Sequence, residues 1–338
     1  MPELRNPGKR DTTLGAVRPG SGVDYRRALQ KLIATMSASY EWWIEAKYRR
    51  ALAANVDAGR VAGAEVAANM AQDAKPGPSQ TTTDMLGELA RLRAYWTKYF
   101  DSYAKKIAEQ ATEAWYAENR LQWEGKLRRA GFDIKMQLTP SQNLILRAKV
   151  QENVSLIRSI HEDYHKDVEG IVLRSFTAGR DLSDMAARIK DRGKVSTSRA
   201  ALIARDQANK ATAQMNAARQ RELNLQFAVW VHSAGQREPR EKHVRAGREQ
   251  WVFNTQVGID FGDGFGHVLP GEAIKCSCVS RTIIPAIGRG DIESYEDLEA
   301  VPGYPGAYRA KRGKDVGPKP KNDVTKTRAP AGTPVKYS

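Results

Sequence analysis

Apolar residues recur at three- and four-residue steps through the first two thirds of the chain, the period of a helix with one buried face. Beginning at Asp24, the positions Leu29, Leu32, Ile33, Met36, Tyr40, Trp43, Ile44 and Tyr48 keep this step. The helix they predict runs on through an Ala-rich stretch to Met70, and Lys75-Pro76-Gly77-Pro78-Ser79 ends it. A second stripe opens near Thr83-Asp84 and is carried by Leu86, Leu89, Leu92, Tyr95, Trp96, Tyr99, Tyr103, Ile107, Ala111, Trp115 and Leu121. Its aromatics fall on the buried period, which assigns them to a helix–helix interface rather than to stacking on bases. After a break at Gly131-Phe132-Asp133, Thr139-Pro140 supplies a cap and then the residue best tolerated at a first helical position. Leu144, Ile145, Ala148, Val154, Leu156, Ile157 and Ile160 continue the period, and separate helices are expected over Val168 to Phe176, from Asp181 through Ile189 to a stop at Arg192-Gly193, and from Ser196 or Ser198 to near Leu223.

Beyond Leu223 the pattern changes class. Phe227-Ala228-Val229-Trp230-Val231, Trp251-Val252-Phe253 and Val279 to Ile284 are short β-prone runs, with Gly258, Gly262, Gly264 and Gly266 between them. The expected architecture is a mainly α N-terminal body with long helices, a small α+β module and a disordered basic C-terminal tail. Its parts are a flexible N-terminus (1–22), a long-helix docking region (23–135), the mixed module (136–287) and a basic Pro/Gly-rich tail (288–338).

Composition narrows the class. The chain has 338 residues, 41% of them hydrophobic, and a formal net charge of +15, which favours an acidic partner such as nucleic acid. No run approaches the roughly 20 apolar residues that cross a bilayer. Met1-Pro2-Glu3-Leu4-Arg5 lacks an apolar secretory core and reads as an unprocessed start. Two cysteines in the whole chain make no disulfide framework, which fits synthesis in a reducing cytoplasm. In the tail, Lys311, Arg312, Lys314, Lys319 and Lys321 lie among prolines and form a candidate phosphate-contacting arm with salt-sensitive affinity; a solvated terminus is the other reading. Arg188, Lys190, Arg192, Lys194, Arg199, Arg205, Lys210, Arg219 and Arg221 form a basic helical block. It either faces DNA or a protein partner, or ties its helix to the mixed module through Asp206 or Glu222.

Two constellations carry chemistry. Cys276 and Cys278 are separated by one residue, a spacing that points both side chains one way and disfavours a mutual disulfide. With His243 upstream, and Asp263 or His267 as further candidates, they approach the N/S ligand mix that zinc prefers. A packed apolar cluster at the start of a strand is the other reading. Either way the set would clip a long glycine-rich loop and hold the strands in register. The second constellation, His161-Glu162-Asp163-Tyr164-His165, satisfies the zinc-hydrolase pattern H-E-x-x-H. Charges at Asp163 and Lys166, and a buried stripe through Ile157, Ile160, Tyr164 and Val168, count against catalysis there. On that phase His161 flanks the apolar face and His165 lies nearer solvent.

A longer succession is family-like. It begins with Asn153-Val154-Ser155-Leu156-Ile157-Arg158-Ser159-Ile160 and resumes at Ser196 to Gln207, with Arg199-Ala200-Ala201-Leu202-Ile203-Ala204-Arg205-Asp206-Gln207. Trp230, Pro239 to His243, Gly247, Phe253 and Pro270-Gly271 through Cys276-Ser277-Cys278 complete it. In order and spacing this resembles the phage Mu F-like minor head protein (head morphogenesis) family over residues 140–287. Lys275-Cys276-Ser277-Cys278 replaces the Asn-Cys-Arg-Cys ending common in relatives, and Ser233-Ala234-Gly235-Gln236 lacks their acidic residue after the tryptophan. The resemblance implies a minor capsid component of a tailed bacteriophage that acts with the portal and major capsid proteins during head assembly and contacts packaged double-stranded DNA. It would be made in the host cytoplasm and reside in the virion, at the capsid interior or portal vertex. No enzymatic activity comes with it. The competing expectations are a zinc-dependent hydrolase using His161, Glu162 and His165, or His243 with the cysteines, and a general nucleic-acid-binding protein.

Overall fold

The computed structural model describes residues 21–58, 80–129, 131–177, 182–233, 239–285 and 288–317. Among the described residues four long helices come first: α1 (Ser21–Ala58), α2 (Gln80–Arg129), α3 (Pro140–Thr177) and α4 (Leu182–Glu222). A mixed segment follows, with β1 (Phe227–Val231), α5 (Glu241–Arg248), β2 (Val252–Asn254), β3 (Ile259–Asp260), β4 (His267–Val268), β5 (Val279–Thr282), β6 (Leu298–Ala300) and β7 (Tyr308–Ala310). The chain divides into two compact units, one of residues 1–114 and 147–205, the other of 115–146 and 206–338. The division falls inside the long helices, not at the border expected near 135. None of the described helices is long and apolar enough to cross a membrane. The expected N-terminal segment before Ser21 and the Ala-rich run beyond Ala58 lie outside the described residues.

In the first unit the helical period decides burial. Leu29, Leu32, Ile33, Met36, Tyr40 and Ile44 of α1, Leu89, Trp96 and Phe100 of α2, and Ile157, Ile160, Tyr164 and Val168 of α3 are all buried. Two buried polar groups of this core are paired internally: Tyr25 Oη donates to Asn153 Oδ1 at 2.7 Å and Trp96 Nε1 donates to Ser39 Oγ at 2.7 Å. The aromatic stripe of α2 divides. Trp96 and Phe100 enter the core, whereas Tyr95 is 43% exposed, and Tyr95, Tyr99 and Tyr103 stack on one another with centroids 6.2 and 4.4 Å apart.

Two expected breaks are absent. Residues 168–176 continue α3, and α4 runs unbroken through Gly193. A glycine inside a helix costs about 1 kcal/mol relative to alanine, but a Cβ at Gly193 would lie 2.9 Å from Ser37 Cβ of α1. This glycine admits a neighbouring helix and ends nothing. Four residues of the basic block of α4 are paired with carboxylates of the first unit. Arg188 pairs with Asp184 at 2.6 Å, Arg192 with Asp167 at 2.6 Å and Lys194 with Asp191 at 2.8 Å, and Arg199 pairs with Asp163.

The second unit contains a five-stranded antiparallel sheet in the order β5-β1-β2-β7-β6 and a two-stranded ribbon, β3-β4. β1 is buried on both faces, which explains its uninterrupted apolar sequence. Ala228 and Trp230 join a core with Trp251, Phe253, Ile259 and Phe261. Phe227 and Val229 point the other way, into a core with Val252, Ile283, Ile292 and Leu298. The helical part of this unit is tied by a polar network, in which buried Arg219 donates to Asn119 Oδ1 at 2.7 Å and Trp123 Nε1 donates to Asn216 Oδ1 at 2.8 Å. Thr139 caps α3 as expected, accepting from Gln142 N at 3.3 Å. Glu222, expected as a partner of the basic block, accepts instead from Ser141 Oγ and Gln142 Nε2, both at 2.8 Å.

The tail boundary at 287 requires correction. β6 and β7 extend the sheet, Ile292, Leu298, Val301 and Ala307 are buried, and the folded module reaches Gly317, the last described residue. The apolar positions are few and lie between glycines and prolines, so their spacing shows no strand period, yet each fills a place in the module core.

Candidate metal centre

The His/Cys site is built by three segments of the second unit. α5 carries His243 in its first turn, and its ring is 2% exposed. Cys276 and Cys278 lie on the segment leading into β5, at 1% and 3% exposure, and both are free thiols. Their approach to His243 is close: His243 Nδ1 is 3.5 Å from Cys276 Sγ and 3.8 Å from Cys278 Sγ. One ligand atom from each of the three residues fits within 4.8 Å of the others.

Long-range backbone contacts hold the cysteine segment in place. Lys275 takes the left-handed conformation, φ 60°, and its N–H donates to Asp206 Oδ1 of α4 at 2.6 Å. One turn along α4, Asn209 Nδ2 donates to Cys276 O at 2.8 Å. Gly271, with φ 97°, passes so close that a Cβ would sit 3.3 Å from both Asn209 O and Cys278 O. Asp206 and Asn209 are thus the residues that sequence reasoning missed. The sequence position of Asp206 suggests a carboxylate for Arg199 or Arg205, and nothing in its spacing reveals that it accepts from a backbone amide in a distant loop.

The surroundings are apolar above the ring and acidic behind it. Trp230 and Phe261 pack on His243 with centroids 5.0 and 4.3 Å away. Behind the ring, His243 Nε2 is 4.0 Å from Asp263 Oδ2, and neither Nε2 nor either Asp263 oxygen makes a hydrogen bond. The two sulfurs titrate as a pair. A hydrogen bond from Cys278 and another from His243 hold the Cys276 thiol far below its ordinary range. That same bond to Cys276, with burial, pushes Cys278 up. The pocket thus favours one thiolate even without a metal, and an ion would favour two.

Zinc geometry tests the fit. With Zn–S near 2.3 Å and Zn–N near 2.0–2.1 Å, a tetrahedral ion separates its sulfur and nitrogen ligands by about 3.5 Å. The observed 3.5 and 3.8 Å match that spacing. Nδ1 faces the sulfurs, leaving Nε2 to carry the proton toward Asp263, the usual support for a metal-bound imidazole. The other suggested ligand, His267, is exposed on β4 and stands outside the cluster.

The H-E-x-x-H segment does not form a comparable site. His165 was expected near solvent but is 3% exposed, and His161 is 2% exposed. His165 Nδ1 lies 3.2 Å from Tyr40 Oη, and His161 packs on Phe100 with centroids 5.0 Å apart. Glu162 points to solvent. Among the described residues, the only group of three or more potential metal-ligating side chains is His243, Cys276 and Cys278.

Sequence comparison places this geometry. The family model for Phage Mu protein F like protein matches residues 166–281, a span that includes α4, β1, α5, most of β5 and all three clustered side chains. This segment is similar to the Mu F-like proteins. The chain is also 29% identical over 187 residues to an uncharacterized protein of Haemophilus influenzae. That match covers 54% of this chain and 40% of the relative, so the chain spans less than half of the relative's length. No solved structure matches the chain significantly. The Mu F-like segment runs through both the helix that clamps the cysteine loop and the loop itself.

Proposed function

We propose that the protein is a minor capsid component of a tailed bacteriophage, acting with the portal and major capsid proteins in head assembly and contacting packaged double-stranded DNA. The observation that carries this reading is the Mu F-like match over residues 166–281, which covers the module where the His/Cys cluster forms. The cluster serves as a clip: buried, enclosed by aromatic rings and braced by α4, it stabilises the module. The protein then works by docking, within the virion at the capsid interior or portal vertex.

Charge supports the DNA contact. The net charge is +15, and Lys311 and Arg312 are exposed at the end of the folded module. Lys314 is engaged with Asp297 at 2.8 Å, which leaves it a weaker candidate. Lys319 and Lys321 lie outside the described residues. Co-expression with a portal ring tests the reading: the protein should co-purify with the ring and enter heads, and Glu162→Gln should leave assembly unchanged. DNA affinity without portal association would favour a general nucleic-acid-binding protein. Loss of function in Glu162→Gln with metal still bound would favour the hydrolase.

A further inference from the structure

We propose that His232 is the fourth ligand of a closed Cys2His2 zinc centre, with Asp263 orienting His243 from behind. This rests on the metal reading of His243, Cys276 and Cys278 and extends it to a residue outside that cluster. The β1-β5 ladder places it: Trp230 pairs with Ser280 and Val231 with Val279, so the next step in register sets His232 opposite Cys278. The ring already faces the sulfur, with Nδ1 3.6 Å from Cys278 Sγ, the spacing of about 3.5 Å that two ligands on one tetrahedral zinc require.

A glycine fixes the second histidine relative to the first. Gly247 lies one helical turn beyond His243 on α5, and a Cβ there would be 2.6 Å from His232 Cβ and 2.7 Å from His232 N. α5 is therefore seated directly on the His232 backbone, and the face that carries His243 is the face that touches it. His232 stands outside the tight three-residue group, so a change of side-chain rotamer must swing its ring inward.

The atoms behind the site that lack hydrogen bonds point the same way. When Nδ1 of His243 holds a metal, Nε2 must carry its proton, and the partner it faces is Asp263 at 4.0 Å. Asp263 is ion-paired with Arg240 at 3.6 Å, but both its oxygens and Nε2 lack hydrogen bonds, and metal binding gives that proton an acceptor. Four protein ligands leave no position for water, which makes the centre structural.

Cobalt(II) substitution of the full-length protein tests this. The wild type should show the ligand-field absorption of a tetrahedral ion and charge transfer from two thiolates. His232→Ala should lower zinc affinity about a hundredfold and change the ligand-field bands, whereas His267→Ala should change neither. His232→Cys, which keeps four ligands, should restore tetrahedral absorption with charge transfer raised to the level of three thiolates. A two-thiolate spectrum in His232→Cys, with wild-type affinity in His232→Ala, would overturn the assignment while leaving the three-residue reading standing. A wild-type protein that binds neither metal would overturn both.

Discussion

Gly247→Ala separates the roles of helix propensity and site geometry, because the two effects oppose each other. Alanine would stabilise α5 by about 1 kcal/mol, and Gly247 is not among the residues with positive φ, so the backbone accepts it. Its Cβ, however, would stand 2.6 Å from His232 Cβ, against the roughly 3.5–4.0 Å of ordinary carbon contacts. Relief needs a shift of roughly 1 Å between α5 and β1, and overpacking of this kind costs about 1–3 kcal/mol. The atom obstructed is beside the chain rather than at the end of a flexible side chain, so the upper part of that range applies. The expected net loss is about 1–2 kcal/mol. A metal centre tolerates only about 0.2 Å in its distances, so the same shift should also weaken zinc binding. Equilibrium denaturation and zinc competition against a chromophoric chelator read the two effects together. A Gly247→Ala protein as stable as its parent, with equal zinc affinity, would refute the argument that α5 is seated on His232.

Further consequences follow from other contacts. In the helical unit, burial above all depresses His161 and His165 to about 4 from 6.5; nearby Arg93 acts the same way on both and Asp101 opposes it at His161, while Glu169 lies 3.9 Å from His165 Nε2. Between these values the unfolded chain binds more protons, so stability is present above pH about 6.5 and falls as pH drops toward 4, by roughly 2 kcal/mol per imidazole at pH 5. Denaturation midpoints across that range should lose most of this slope in a His161→Gln/His165→Gln protein, and an unchanged slope would contradict the account. Asp206→Ala removes the acceptor of the Lys275 amide and should destabilise the module by about 1–3 kcal/mol, with a parallel drop in metal affinity. Replacing Lys311, Arg312, Lys319 and Lys321 by alanine should flatten the dependence of DNA affinity on salt, each lost phosphate contact reducing the slope by about 0.9. An unaltered slope would remove these residues from the DNA contact.

The sequence displayed the helices better than the site. Leu29, Ile33, Met36 and Tyr40, or Ile157, Ile160 and Tyr164, announce a helix because burial on one face imposes a period. Gly193 misled because propensity describes an isolated helix, whereas its role is set by Ser37 on another helix. His165 misled for a related reason, since contact with Tyr40 widens the buried face beyond the apolar stripe. Residues 288–317 read as tail because strands of three residues between glycines leave no alternation to recognise. The convergence of His243, Cys276 and Cys278 was legible from residue type and shared direction. The contributions of His232, Asp206 and Asn209 depend on strand register and loop docking, and no local spacing encodes either.

Metal content tests the central claim most directly. Protein purified from cells without added metal or chelator should contain one zinc per chain, and stripping it should lower the unfolding temperature of the module and expose Cys276 and Cys278 to thiol reagents. A native protein free of zinc, with both cysteines still protected and unfolding unaffected by chelator, would show that the cluster is held by packing alone.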